Sequence, residues 1–549
     1  MLAVVLPIPA LWSASPFIAW SISLTLSRRK AKLSANQIIF LREIARKTWA
    51  FFEAFVGPED NWLPPDNYQE DPVPTIAHRT PPTNMGLALL SNLSAYDFGY
   101  IPAGHLIERT KNALQTMEKM ERYRGHFFNW YDTKSLKPLQ PPYISSVDSG
   151  NLAGYLMILR PGLLDLPDQK ILEPRLFEAI DDTLRILVDL TEGPSMERLI
   201  KFRNELKVIA DSSPSTLIAL RLWLVQLTES AAEVIEGYIT DPDHQAFWWA
   251  QSLHRQCLSF LDELTFLAPW ILLPPLPDNL ITFPGINGIP TLRDLSKIDN
   301  KLLPDIGNFL TPDAKPEMIK LINDLKQSVT EASQRANERI EVIEHLALKA
   351  GEFTHIEYDF LYDKGRHLLS VGYNVDERRK DTSYYDLLAS EARFTSFVAI
   401  AQGQIPQESW FSLGRLLTSV GGDPVLLSWS GSMFEYLMPL LVMPTYENTL
   451  LDQTYKTAVE RQVEYGKRRS APWGISESGY NTVDVHLNYQ YRAFGVPGMG
   501  LNEELPETWA VAPSVPAPPC GGAPARRSHT LCGLAVLCML ETNVLSNLF

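Results

Sequence analysis

The 549-residue chain has four cysteines. Cys257 stands alone in a helical stretch, while Cys520, Cys532 and Cys538 fall near the end. No pair is spaced as metal ligands are. So sparse a set argues against a disulfide framework and suits a reducing compartment. No glycine-rich phosphate loop and no strand-helix alternation occur, which argues against the nucleotide-binding classes. The Gly-x-Ser-x-Gly elbow of the serine hydrolases is also missing. His78, His126 and His486 have no cysteine or close carboxylate at ligand spacing, so neither a metal site nor a cofactor is expected. Basic residues are outnumbered, 49 Lys and Arg against 64 Asp and Glu, for a net charge of -15. That balance argues against a nucleic-acid or anionic-lipid partner bound through the whole surface. It fits a neutral polyol, and equally an ordinary cytosolic protein.

What the chain does have is length, apolar content and aromatics. At 45% hydrophobic and 21% charged residues it is mostly globular, with room for one very large domain or two to three ordinary ones. Its 13 Trp, 20 Tyr and 23 Phe can wall a sugar site, although core packing accounts for most of them.

Met1 to Leu26 is mostly apolar and is followed by Ser27-Arg28-Arg29-Lys30. It reads as a membrane segment, with everything after it cytoplasmic by the positive-inside rule. Pro7, Pro9 and Pro16 interrupt it, and a buried or disordered leader is the other reading. Ser34 is predicted to cap a helix running to Phe55. A polar loop from Gly57 to Asn67 follows, dense in Asp, Asn, Trp and Pro. Helices are predicted near 85–95 and 103–122, and a third opens at Ser145 to Leu152. The rhythm is helix, polar aromatic loop, helix. Residues 161–350 read as a helical scaffold, with helices near 171–190, 196–210 and 317–351 and a proline-rich connector over 274–290. A short hairpin is predicted over 360–373, turning at Asp363 to Gly365. Further helices are expected near 383–401, 409–417 and 450–465, then a loop over 472–481. After about Val511 the composition changes, and residues 511–549 read as a replaced or out-of-frame end, or as a flexible tail.

Within the 383–401 helix, Thr382 or Ser383 would be the cap and Asp386 would lie in the first turn. Tyr384, Leu387, Leu388 and Glu391 would share one face. A carboxylate on an inward face needs a partner or a polar cavity. Glu391, Glu435 and Glu477 all sit among polar and aromatic residues, and glycoside chemistry needs two carboxyl groups flanking the bond. A helical glutamate is more often a surface or ion-pair residue. Asp60, Asp66, Asp132 and Asp148 are candidate ligands for sugar hydroxyls, and equally turn or cap residues. Trp62 and Asn129 stand in the same polar aromatic loops.

Several segments resemble the middle, glycoamylase-like region of the cyclic β-1,2-glucan synthases. They include Glu59-Asp60-Asn61-Trp62-Leu63-Pro64-Pro65-Asp66-Asn67, Ala77-His78-Arg79-Thr80 and Tyr123-Arg124-Gly125-His126-Phe127-Phe128-Asn129-Trp130-Tyr131-Asp132. Val147-Asp148-Ser149-Gly150-Asn151-Leu152, Tyr384-Tyr385-Asp386-Leu387-Leu388-Ala389-Ser390-Glu391-Ala392-Arg393, Leu427-Ser428-Trp429-Ser430-Gly431-Ser432-Met433-Phe434-Glu435-Tyr436 and Trp473-Gly474-Ile475-Ser476-Glu477-Ser478 complete the set. The resemblance spans roughly Leu33 to Trp509. It implies an all-α (α/α)6 toroid, here incomplete at its C-terminal end, with an extra helical region and a short β-hairpin. On that reading residues 33–160 are the first part of the region and 351–510 the catalytic part, and residues 1–30 are a membrane-segment remnant.

The resemblance also implies an activity: closing linear β-1,2-glucan into rings by retaining transglycosylation. Glu477 would be the nucleophile and Glu391 the acid/base. Glu435, Trp429, Trp473, Tyr373 and Asp148 would line the cleft, with Trp62, Asp66 and Asn129 as further sugar contacts. The partners implied are the glucan, a glycosyltransferase region and a phosphorylase-like region of a longer polypeptide, and a bacterial inner membrane with the globular part on its cytoplasmic side. A hydrolase with water as acceptor, and an inactive glucan-binding piece, are the competing readings.

Overall fold

The computed structural model describes residues 7–23, 33–69, 74–212, 215–238, 245–275, 286–307, 315–389, 392–470, 477–483, 489–493 and 495–501; over 477–493 the description is of backbone only. Glu391, Trp473, His486, most of the proline-rich connector, the tail, and Cys520, Cys532 and Cys538 lie outside the described residues.

Helices dominate, as expected for the all-α class. The first, α1 (Pro7–Ser23), is 17 residues long with Pro16 inside it. Among the described residues no helix is long and apolar enough to cross a membrane, so the expected membrane span is not borne out.

Helix α2 (Ala35–Phe55) starts as predicted. Ser34 Oγ accepts from the Gln37 N–H, and the Gln37 side chain accepts in return from the Ser34 N–H. This capping box fixes which face points inward, and Ala45, Trp49 and Phe52 are buried on it. Then come α3 (Pro82–Phe98), α4 (Ala103–Lys119), α5 (Ser146–Asp165), α6 (Arg175–Asp189), α7 (Ser195–Ser212), α8 (Leu217–Glu236), α9 (Gln245–Leu267), α10 (Ile298–Gly307) and α11 (Pro316–Phe353). Helices α12 (Ala392–Ala401), α13 (Met433–Leu437) and α14 (Leu450–Arg469) follow, and two short helices lie at Leu292–Leu295 and Glu408–Ser412, the latter within the helix expected over 409–417.

Helix α5 is buried on nearly every side and packs against α3, α11 and α12, which suits a sequence apolar all round. Its contact with α12 depends on Gly150 and Gly154. A Cβ at Gly150 would overlap Thr395, and one at Gly154 would overlap the Phe394 ring. The two helices therefore touch backbone to side chain, and Thr395 Oγ1 donates to the Val147 carbonyl at 3.2 Å. Most of the helical body shares one apolar core, from Ala45 to Val442. A second, smaller cluster gathers Leu387, Leu388, Leu413, Val425, Leu426, Met433, Tyr436, Leu437, Tyr455, Ala458, Val496 and Met499.

The strands are short. The predicted hairpin is present: Tyr362–Asp363 pairs antiparallel with Leu368–Leu369. A three-stranded antiparallel sheet was not foreseen. It places Gly372–Asn374 between Tyr143–Ser145 and Arg379–Lys380, with Tyr373 opposite Ile144. Residues expected to finish a helix near 417 instead form Leu417–Val420, paired with Asp423–Leu426. Part of the loop expected over 472–481 is strand: Glu477–Val483 pairs with Tyr489–Ala493.

The largest correction concerns the expected helix from 383. Residues 382–389 are irregular, and the described helix runs from Ala392. Other parts of the chain claim the backbone groups a helix would use. Val371 N–H donates to the Ser383 carbonyl, Leu387 N–H donates to the Gly414 carbonyl, and Asp386 Oδ1 accepts from the Leu388 N–H at 2.8 Å. An aspartate that captures the amide two residues on offers the chain a turn in place of a helix. Leu387 and Leu388 are buried all the same, in the smaller cluster.

Candidate active site

Two polar clusters flank the point where α5 meets α12. The first grows from the N-terminal turn of α5. Ser145 caps that helix by accepting from the Asp148 N–H at 3.2 Å. Asp148 Oδ1 accepts from Thr83 Oγ1 at 2.6 Å, and Thr83 in turn accepts from Asn151 Nδ2 at 3.1 Å. In the amide orientation that satisfies its neighbours, Asn129 donates to Asp148 Oδ2 at 2.8 Å and accepts from Trp130 Nε1 at 3.3 Å. The Arg79 guanidinium lies 5.0 Å over the Trp130 ring and donates to Asp66 Oδ2 at 3.1 Å. Asp66, Asn129 and Asp148, singled out separately, thus belong to one continuous chain of contacts. Burial raises the Asp148 carboxyl above the usual aspartate range, against the Ser145 and Thr83 hydrogen bonds, which lower it.

Tyr373 is half-buried on the middle strand of the small sheet, stacked on Tyr123 at 5.9 Å and edge-on to Phe360 at 5.1 Å. On the neighbouring strand Tyr143 donates to Asp381 Oδ2 at 2.5 Å, tying the sheet to the 381–389 segment. Trp62 stands apart from this chain: its ring faces Arg109 at 5.8 Å, beside the core residue Trp49. Asp60 is buried with His78 Nδ1 at 2.7 Å and also accepts from Thr133 Oγ1, and Asp132 caps a turn at Ser135.

The second cluster surrounds Glu435, in the first turn of α13. Its side chain is almost fully buried, and Oε2 accepts from Ser428 Oγ at 2.8 Å, Ser430 N–H at 2.9 Å and Ser430 Oγ at 2.7 Å. Arg393, two positions beyond Glu391, is buried as well and donates to the carbonyls of Glu435 and Tyr436 at 3.2 and 2.9 Å. Asp386 is raised by burial, and the Glu435 charge pushes it the same way. Trp429, on the same loop as the serines, is 55% exposed.

Between the clusters is a hollow of about 10 Å³, lined by Ser146 and Thr395 from the crossing helices together with Leu369, Tyr385, Ala392, Ser396 and Leu413. That is room for one water, not a sugar. Ser146 is two residues from Asp148, and Ala392 directly follows Glu391. Of Glu477 the strand backbone alone is described.

Arg393, Thr83, Asn151 and the Tyr143–Asp381 pair were not given roles from sequence, and Asp386 was read only as a first-turn residue of a helix. Arg393 alone left a signal: an arginine inside the apolar run Ala392–Ala401 can only be buried by meeting carbonyls or carboxylates. Among the described residues no group of His, Cys, Asp and Glu is placed to hold a metal ion.

No family model matches the chain. Among solved structures, an endo-β-1,2-glucanase from Chitinophaga pinensis overlaps 86% of this chain and 76% of its own, at 11% identity and a TM-score of 0.38, a likeness that carries no argument. Sequence similarity is far stronger. The cyclic beta-(1,2)-glucan synthase NdvB of Rhizobium meliloti (strain 1021) is 36% identical over 530 residues, which cover 92% of this chain and 16% of that protein. Along nearly its whole length, then, this chain is a relative of one segment of a cyclic β-1,2-glucan synthase, which bears out the resemblance its motifs carry.

Proposed function

We propose that this chain closes linear β-1,2-glucan into rings by retaining transglycosylation, within an (α/α)6 barrel. The observation that carries the reading is its continuous similarity to one segment of a cyclic β-1,2-glucan synthase. Glu391 protonates the leaving glycosidic oxygen while Glu477 attacks the anomeric carbon, giving a covalent glycosyl-enzyme. The 2-hydroxyl of the chain's own non-reducing end then attacks that carbon. Glu391 takes its proton and Glu477 departs as carboxylate, so two inversions give net retention. Direct attack of this kind needs the two carboxyl groups about 5–5.5 Å apart. Tyr373 and Trp473 wall the cleft and keep water from the intermediate, and Trp429 lines it as a sugar contact. The Asp148–Asn129–Asp66 chain supplies fixed acceptors and donors for sugar hydroxyls.

In the same reading the chain works beside a glycosyltransferase region and a phosphorylase-like region, on the cytoplasmic side of a bacterial inner membrane. Mass spectrometry after incubation with linear β-1,2-glucan tests the chemistry. Products one water lighter than linear chains of equal length are expected. New reducing ends without rings would make the chain a hydrolase, and unchanged glucan would remove the enzymatic reading.

A further inference from the structure

The loop from Leu427 to Gly431 holds an exposed indole on a backbone pinned from both sides. Leu427 N–H donates to the Leu416 carbonyl at 2.8 Å, and Ser428 N–H to the Met499 carbonyl at 3.1 Å. The Ser428 carbonyl accepts from Leu501 N–H at 3.0 Å, so the segment around Gly500 runs as a parallel bridge beside Ser428. Gly431 has a φ of +72°, which an L side chain rarely adopts, and its N–H donates to Ser428 Oγ at 2.8 Å. Three further donors of the loop, Ser428 Oγ, Ser430 N–H and Ser430 Oγ, converge on Glu435 Oε2.

A carboxylate taken out of water is costly unless its lone pairs are satisfied. Here one oxygen has three donors from the loop itself, and the other accepts a fourth, longer contact of 3.2 Å from Ser430 N–H. Glu435 Oε2 is therefore committed to the loop, and the Ser430 N–H is shared between both carboxylate oxygens. Single exposed aromatics are common on protein surfaces and alone imply nothing. A 55% exposed indole whose flanking residues are held by a buried carboxylate is a different arrangement. The loop is also joined to α12, because Arg393 binds the Glu435 and Tyr436 carbonyls.

We infer that Glu435 is a positioning residue, not a sugar ligand: its carboxylate clamps the 428–431 loop so that Trp429 presents a rigid face on which a glucosyl ring of the β-1,2-glucan stacks. The clamp rests on the geometry of the loop; the ligand rests on the glucan reading above. A preset ring binds without the entropy cost of being ordered first.

The test uses the full chain with the variants Trp429→Ala, Glu435→Gln, Ser430→Ala and the double Trp429→Ala/Glu435→Gln, with thermal melts to confirm folding. Hydrogen exchange at the Ser430 and Gly431 amides reads the clamp without substrate. Protection is expected to fall in Glu435→Gln and Ser430→Ala and to persist in Trp429→Ala. Ring-formation kinetics on linear β-1,2-glucan read the ligand. Trp429→Ala is expected to raise KM about tenfold with kcat nearly unchanged. Glu435→Gln is expected to raise KM in the wild-type background and to add nothing to Trp429→Ala.

Unchanged exchange in both Glu435→Gln and Ser430→Ala would overturn the clamp. Additive KM effects would overturn the positioning role, because Glu435 would then act on the sugar or on the fold by its own route. If Glu435→Gln fails to fold, Ser430→Ala carries both readouts. If the wild-type chain neither binds nor converts the glucan, the substrate reading fails, while the exchange data still decide the clamp.

Discussion

The helical body and the small cluster around α13 are held together in different ways. The body is an apolar core spread along helices, from Ala45 and Trp49 to Phe394 and Val398. The cluster has twelve buried apolar residues between Leu387 and Met499 and relies on polar locks: Arg393 on two carbonyls, Glu435 on two serines, and the Tyr436 hydroxyl on the Leu426 and Met499 carbonyls at 2.9 and 3.0 Å. A large core carries stability. A small core with polar locks fixes the position of particular loops, which a site needs and a scaffold does not.

The comparison can be broken first by cutting into each core. Trp49→Ala should cost about 3–5 kcal/mol and lower the whole denaturation curve. Met433→Ala should cost about 2–5 kcal/mol, expressed as local opening. Hydrogen exchange would then accelerate around Leu387, Leu388, Leu413, 425–437, 455–458 and 496–499 and little elsewhere. Equal acceleration along the chain would make the two regions one cooperative unit.

Acid should also separate them. His126 is buried between Ser149 Oγ and the Glu357 carbonyl, and burial pushes its imidazole down from 6.5 to about 4. Between those values the unfolded chain binds more protons than the folded one, so stability falls as pH drops through the window. The full effect is on the order of 3 kcal/mol. Burial raises Asp97 to about 7 and raises Asp386, and both have the opposite sign: their contribution is lost as pH rises. The difference between wild type and His126→Asn in melts from pH 7 to 4 isolates the histidine. A variant that loses as much stability on acidification as wild type would remove it from the account.

Gly154→Ala should cost about 1–3 kcal/mol by forcing the Phe394 ring off α5, and it should impair ring formation through the segment leading to Ala392. A melt and an activity assay check both. The smallest change is Tyr436→Phe, about 1 kcal/mol, with faster exchange confined to the segment that ends at Leu501.

Much of the body was legible in sequence because its contacts repeat along helices. Ser34 with Gln37 announced α2, and the long periodic stretch from Pro316 announced α11. The site region was less legible for the same physical reason in reverse. Residues 382–389 carry a helical pattern of apolar side chains, yet their backbone partners are Val371 and Gly414, distant in sequence. The strand Glu477–Val483 depends on its partner Tyr489–Ala493, and no local signal outweighed a loop there. Asp148, Asn129 and Asp66 were chosen as separate polar residues; that Trp130 and Arg79 connect them is a property of the fold. Glu435 was noticed for its charge, while its role follows from two serines that composition does not distinguish from any others.

The assignment of Glu477 as the group that attacks the sugar can be tested by chemical rescue. Glu477→Ala should lose ring formation by about 10⁴-fold or more. Added azide should restore cleavage of the glucan and leave α-glucosyl azide at the new end, since the small anion enters from the face the carboxylate vacated. Glu477→Ala that still makes rings at the wild-type rate, or a rescued product with the azide in the β configuration, would contradict the account.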